Sequence, residues 1–314
     1  MAESIWKDYE VSFGNLDETD YTIEAGGVQI FSGHAVRRPD QAQLTVRIND
    51  VCADYLLHTL PSVSTRVAVT DTSTVAFTVK DGGGSTVDTV TFSPDWSFIY
   101  DHAVTAMAAP VNGHVSELQA IVLTKSGSGS TSFTLRYAVG TTETVSVAAS
   151  GGAVQVVTLP LSSYTGLESV TVAGITYKVR PACDRYALLY VNAFGGWDTL
   201  LCEGRSSEAD AYGRHTMRQR YDNAVRSARG TVEYVNEVTK RWTLRTGWLQ
   251  DDEAARMHHV LGSTHVWLYD IFEGTLTPVI ITDENCEYKT YRDNGAQPVN
   301  YALTVELAQD IIRR

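Results

Sequence analysis

The feature that most constrains this chain is the repeated alternation of apolar and polar residues at every second position, broken by glycine-rich turns. Val299, Tyr301, Leu303, Val305 and Leu307 alternate with Asn300, Ala302, Thr304, Glu306 and Ala308. Successive side chains of a strand point to opposite faces, so such a run folds as a β-strand with one face buried. The same period recurs at Leu44, Val46 and Ile48, at Val75, Phe77 and Val79, and at Phe133, Leu135, Tyr137 and Val139. The fold class expected is mainly β, with two or three β-sandwich domains.

Three regions follow from changes in texture. Residues 1–114 form a β-rich domain with a short helix. In it Tyr21–Glu24 turns through Gly26-Gly27 into Val28–Phe31, and Asn49-Asp50 caps a helix through Leu57 that Pro61 stops. Asp81-Gly82-Gly83-Gly84 turns the hairpin within residues 65–100. Residues 115–180 read as a small sandwich, a possible insertion, with Ser126–Ser130 as a hairpin loop and Ser150-Gly151-Gly152 as another turn. Residues 181–314 form a sandwich with a long hairpin, placed at about 216–249, and one flanking α-helix. Tyr186–Val191 is nearly all apolar, so both its faces are expected to be covered. The helix runs over Asp251–Leu261: Asp251 or Asp252 caps it, Ala254, Met257, Val260 and Leu261 make its apolar stripe, and Gly262 ends it.

Charge bears on partners. The 314 residues carry a net charge of −12. Residues 1–178 hold 9 basic and 18 acidic side chains, and residues 179–314 hold 16 and 19. An acidic chain repels phosphate, which disfavours gripping DNA or an anionic membrane. A like-charged surface suits a conduit through which DNA slides. The start, Met1–Phe13, lacks a basic region followed by an apolar one, and no run reaches the roughly 18 apolar residues of a membrane span.

Candidate chemistry is sparse. His258-His259 point about 100° apart on a helix and do not chelate one metal together. His265 follows without a second ligand at helical spacing. Asp283, Glu284 and Glu287 lack the glycine and spacing of a calcium loop and read as a solvated strand end. The four cysteines, Cys52, Cys183, Cys202 and Cys286, form no C-x-x-C pair. They are expected as buried thiols, unless the strands bearing Cys183 and Cys202 pair and permit a disulfide. Nucleophile-elbow, P-loop, dinucleotide and zincin motifs are missing. The expectation is a protein that is not an enzyme, with no catalytic residues, no cofactor and no metal.

Six arginines lie in residues 205–229: Arg205, Arg214, Arg218, Arg220, Arg226 and Arg229. With Glu208, Asp210 and Asp222 among them, they favour inter-subunit ion pairs, with a solvated hairpin face as the alternative. The expected subunit interface consists of Arg218, Arg220, Arg226, Arg241, Trp242, Leu244, Arg245 and Trp248, and the expected hairpin tip is Asn236–Lys240.

The order of long hairpin, helix Asp251–Leu261, strand Val266–Ile271, Pro278–Ile281 and strand Val299–Ala308 resembles the tail-tube-like fold of phage tail tube, distal tail and baseplate hub proteins. Tyr186–Gly204, with Gly195-Gly196-Trp197-Asp198, is similar to tail-region proteins of phages and prophages. The resemblance covers about residues 180–314. It implies a structural tail subunit in the virion, assembled in the host cytoplasm. Such a subunit forms a homo-oligomeric ring, a hexamer in that family, binds other tail and baseplate proteins, and passes DNA without specific binding. The alternative is a carbohydrate-binding adhesin or lectin using the 115–178 sandwich. A polysaccharide-degrading enzyme is a third reading.

Overall fold

The computed structural model describes residues 3–4, 9–53, 55–56, 60–63, 68–71, 74–93, 110–126, 129–148, 154–192, 196–218, 231–283, 298–308 and 311–313. The architecture of the described residues is mainly β, built of several antiparallel sheets with few and short helices. The chain divides into two compact units. The first comprises residues 1–109, 120–178 and 191–198, and the second residues 110–119, 179–190 and 199–314.

In the first unit, one sheet orders its strands Glu3–Ser4, Thr86–Ser93, Val75–Asp81, Glu18–Ala25 and Val28–Val36. Gly26 and Gly27 both take positive φ, 58° and 82°, and join the last pair through a two-residue turn. Glycine adopts such angles without the strain a Cβ brings, and Gly-Gly is one of the pairs such turns favour. Glu10–Ser12 pairs with Thr45–Arg47. The helix Asn49–Ala53 is shorter than expected. The Asn49 side chain serves the Tyr9 N–H at 2.7 Å. Ile23, Phe77, Phe92, Ile48 and Cys52 are fully buried together.

Two further sheets complete this unit, and they correct two expectations. Ala120–Ser126 pairs with Val154–Pro160, which also pairs with Ala68–Asp71. A strand from the expected first domain thus lies in a sheet of the expected second. Thr131–Tyr137 pairs with Thr142–Val147 and Leu167–Val172. Residues 126–130 are therefore no hairpin loop: the strands on either side join different sheets. Phe133 and Leu135 are buried while Ser132 and Thr134 are exposed, as period-2 alternation demands.

The second unit centres on one sheet. It orders Trp197–Leu201, Tyr186–Val191, Val266–Asp270, Thr275–Ile281, Ala302–Leu307, Thr231–Arg245 and Ser207–Arg218, and Ile311–Arg313 also pairs with Thr231–Arg245. Trp242, Leu244, Leu303, Val305, Val266, Leu268 and Val279 meet Ala254, Met257 and Val260 in its core. The flanking helix is two short helices, Asp251–Ala254 and Met257–Leu261. Its cap is Gln250: Gln250 and Glu253 form a reciprocal capping box, and Asp251 and Asp252 fill the first turn. Gly247 takes φ +78°, and a Cβ there would lie 2.7 Å from the Cβ of Glu203. That close approach requires glycine.

Candidate assembly arm

The hairpin is longer than expected and starts earlier. Ser207–Arg218 pairs with Thr231–Thr243 in antiparallel register, from Ser207 opposite Thr243 to Arg218 opposite Thr231. Asn236–Lys240 is not the tip. These residues lie within the second strand, opposite Asp210–Arg214. The residues joining the strands, 219–230, lie outside the described residues, and with them the proposed interface residues Arg220 and Arg226.

All twelve residues of Ser207–Arg218 are exposed. On the partner strand Thr231, Glu233, Tyr234 and Glu237 are exposed as well. A β-bulge falls between His215 and Thr216, which stand opposite Val235 and Glu233. Tyr234 is the extra residue; it is 57% exposed, and its ring centroid lies 6.2 Å from that of His215. Tyr212 and Met217 add exposed apolar surface at 52% and 51%. Lys240 pairs with Glu208 at 3.0 Å, and His215 stands 3.6 Å from Glu237. Surface pairs like these contribute little. On the inner strand Val238 is buried, opposite Tyr212, whereas the outer strand has no buried side chain to hold it.

The expected interface residues divide between core and surface. Trp242 and Leu244 are 6% and 0% exposed and pack in the core of their own unit, so they are not interface anchors. Trp242 stands opposite Val305 and Leu244 opposite Leu303, which turns both toward the helices. Arg241 is exposed and donates through Nε to Glu306 at 2.7 Å. Arg218, Arg245 and Trp248 are exposed, Trp248 at 68%.

His258 is exposed and donates from Nδ1 to the Ala255 carbonyl at 2.7 Å. His259 is buried, and burial, then the charges of His258 and Arg256, lower its pKa to about 4. His265 stacks on Trp267. Among the described residues no three His, Cys, Asp or Glu side chains gather as a metal site requires. Asp283 accepts the Thr304 N–H at 2.5 Å, while Glu284, Cys286 and Glu287 lie outside the described residues. Cys183 and Cys202 are free thiols, so the possible disulfide is not formed. Cys52 and Cys202 are buried, and burial pushes both up to about 12; Cys183 is exposed, contrary to the expectation of buried thiols throughout. In residues 115–178 the large apolar side chain exposed among those described is Val139, and Tyr137 and Tyr164 are half-buried.

One cluster escaped the sequence reading. Nδ1 of His114 lies 2.7 Å from Oε1 of Glu203, and Nε of Arg180 lies 3.1 Å from the same oxygen. Arg180 Nη2 also stands 3.3 Å from His114 Nε2. The three residues are 66 and 89 positions apart, so no spacing marks them. Their arrangement ties the 110–119 segment to the loop after Cys202.

No helix among the described residues is long and apolar enough to cross a membrane. Compared with family models, curated proteins and solved structures, the chain matches none.

Proposed function

We propose that this chain is a non-catalytic structural subunit of a phage tail or tail-like assembly. In this reading copies close a ring of the distal-tail or baseplate kind, and DNA passes through without specific binding. The single observation that carries it is the hairpin Ser207–Arg218 with Thr231–Arg245, whose inner strand belongs to the sheet and whose outer strand, Ser207–Arg218, is exposed on both faces along its whole length. A ribbon of that length has ladder groups and apolar rings that gain stability only when covered. Tyr234 and Met217, on the face that carries His215, offer the apolar contacts to a neighbour.

The test is electron microscopy of the purified protein in negative stain. Closed rings with a central opening are expected. Monodisperse single chains at every concentration examined would overturn the proposal.

A further inference from the structure

We propose that the edge of Ser207–Arg218 that no described strand covers pairs with the same edge of a second copy, antiparallel, across a two-fold axis. This contact is distinct from ring closure, which needs a head-to-tail surface. It does not depend on the tail reading.

The sheet of the second unit ends on two strands. One end, Trp197–Leu201, has five residues, all buried. The other, Ser207–Arg218, has twelve, all exposed, and carries no lysine or proline to discourage pairing. The bulge at Tyr234 sits on its inner partner, so the outer ladder of Ser207–Arg218 is uninterrupted. An open edge of this length is a template for another strand. The buried opposite end cannot receive it, so the sheet cannot extend head to tail through a second copy.

The side chains select the partner. Along one face stand Glu208, Asp210, Tyr212, Arg214, Thr216 and Arg218; along the other stand Ala209, Ala211, Gly213, His215 and Met217. The first face is acidic at its start and basic at its end. A two-fold axis normal to the ribbon keeps each face on the same side in both copies, so even-numbered residues meet even-numbered ones. Antiparallel pairing then sets the acidic half against the basic half. With Tyr212 at the axis, Asp210 stands opposite Arg214 of the second copy, and Glu208 lies diagonal to its Arg214 and Arg218. With Gly213 at the axis, Glu208 stands opposite Arg218 of the second copy and Tyr212 opposite its Arg214. Both registers place unlike charges together twice, once on each side of the axis. A parallel pairing in register would set like against like. Among the described residues no ion pair engages Arg214 or Arg218, and the Glu208–Lys240 pair at 3.0 Å is exposed and weak. The small residues Ala209, Ala211 and Gly213 leave the opposite face unobstructed.

Charge reversal tests this on the full chain by native mass spectrometry. The variant E208K/D210K makes the face wholly basic, and R214E/R218E makes it wholly acidic. All four positions are exposed, so each variant is expected to keep wild-type thermal unfolding. Each variant alone is expected to show half the wild-type stoichiometry. Mixing the two in equal amounts, or combining all four substitutions in one chain, is expected to restore it. Unchanged stoichiometry in the two-residue variants would overturn the pairing. So would a fall straight from a larger ring to single chains, or a four-residue variant that stays at half. A wild type that forms dimers without closed rings sinks the ring reading and leaves this one standing.

Discussion

Glu208 and Trp242 stand directly opposite each other across the hairpin ladder, yet the Glu208 side chain is 46% exposed and Trp242 only 6% exposed. Opposed residues of an antiparallel pair project on the same face. The apolar layer of the second unit therefore reaches Trp242 and does not extend over the outer strand. Farther out, the inner strand still buries Val238 and pairs Asn236–Val238 with Ile311–Arg313, while Ser207–Arg218 stays exposed along its whole length. The root is a stability element, and the outer part is surface available to a partner.

That division predicts opposite behaviour for two apolar residues of the same segment. Leu244 is fully buried in its own core, so Leu244→Ala should lower stability by about 3 kcal/mol in urea unfolding. Trp248 is 68% exposed, so Trp248→Ala should change stability by no more than about 0.5 kcal/mol. If Trp248 anchors a partner, the same change weakens assembly roughly tenfold or more. A Leu244→Ala variant that is as stable as wild type but fails to assemble would reverse these assignments.

His259 gives the second unit a pH dependence. Its folded pKa lies at about 4, below the ordinary 6.5, because burial disfavours the imidazolium. The folded state thus binds this proton less readily than the unfolded one. The stability it contributes is fully present above pH 6.5 and is lost as pH falls toward 4, by up to roughly 3 kcal/mol. His259→Gln should flatten unfolding midpoints measured between pH 7 and 4. An equally steep fall in that variant would assign the dependence to other groups.

Ala173 sits at φ +50°, in the two-residue turn between Leu167–Val172 and Ile175–Arg180. A side chain with a Cβ is strained there, and asparagine followed by glycine is the preferred pair for such a turn. Because Gly174 already follows, Ala173→Asn should raise stability by about 1 kcal/mol. Thermal unfolding checks this, and a lowered midpoint would count against the turn assignment.

The elements legible in the sequence were those with one buried face. Leu303 and Val305 alternate with exposed or half-buried neighbours, and their strand lies where the alternation placed it, as Ala302–Leu307. Ser207–Arg218 was misplaced for the converse reason. A strand exposed on both faces has no apolar period to detect, and this one mixes acids, bases and small residues without order of that kind. The Ser126–Ser130 run correctly signalled a break between strands. Which sheet the chain enters next is decided by distant partners, Val154–Pro160 for one strand and Leu167–Val172 for the other. Trp242 was legible as a strand residue, but the sequence did not distinguish a core tryptophan from an interface one. The His114–Glu203–Arg180 cluster is assembled entirely by tertiary folding.

We propose the outer hairpin as an assembly element, and shortening it tests that role. Arg214 and Asn236 are ladder partners, so replacing His215–Val235 by Asn-Gly closes a two-residue turn between them and keeps the pairing of Asn236–Val238 with Ile311–Arg313. Native mass spectrometry of this shortened chain beside the intact one is the most direct measurement. A higher-order oligomer is expected for the intact chain, and a folded protein that no longer closes rings for the shortened one. Equal stoichiometry for the two, or an intact chain that is itself monomeric, would contradict the proposal.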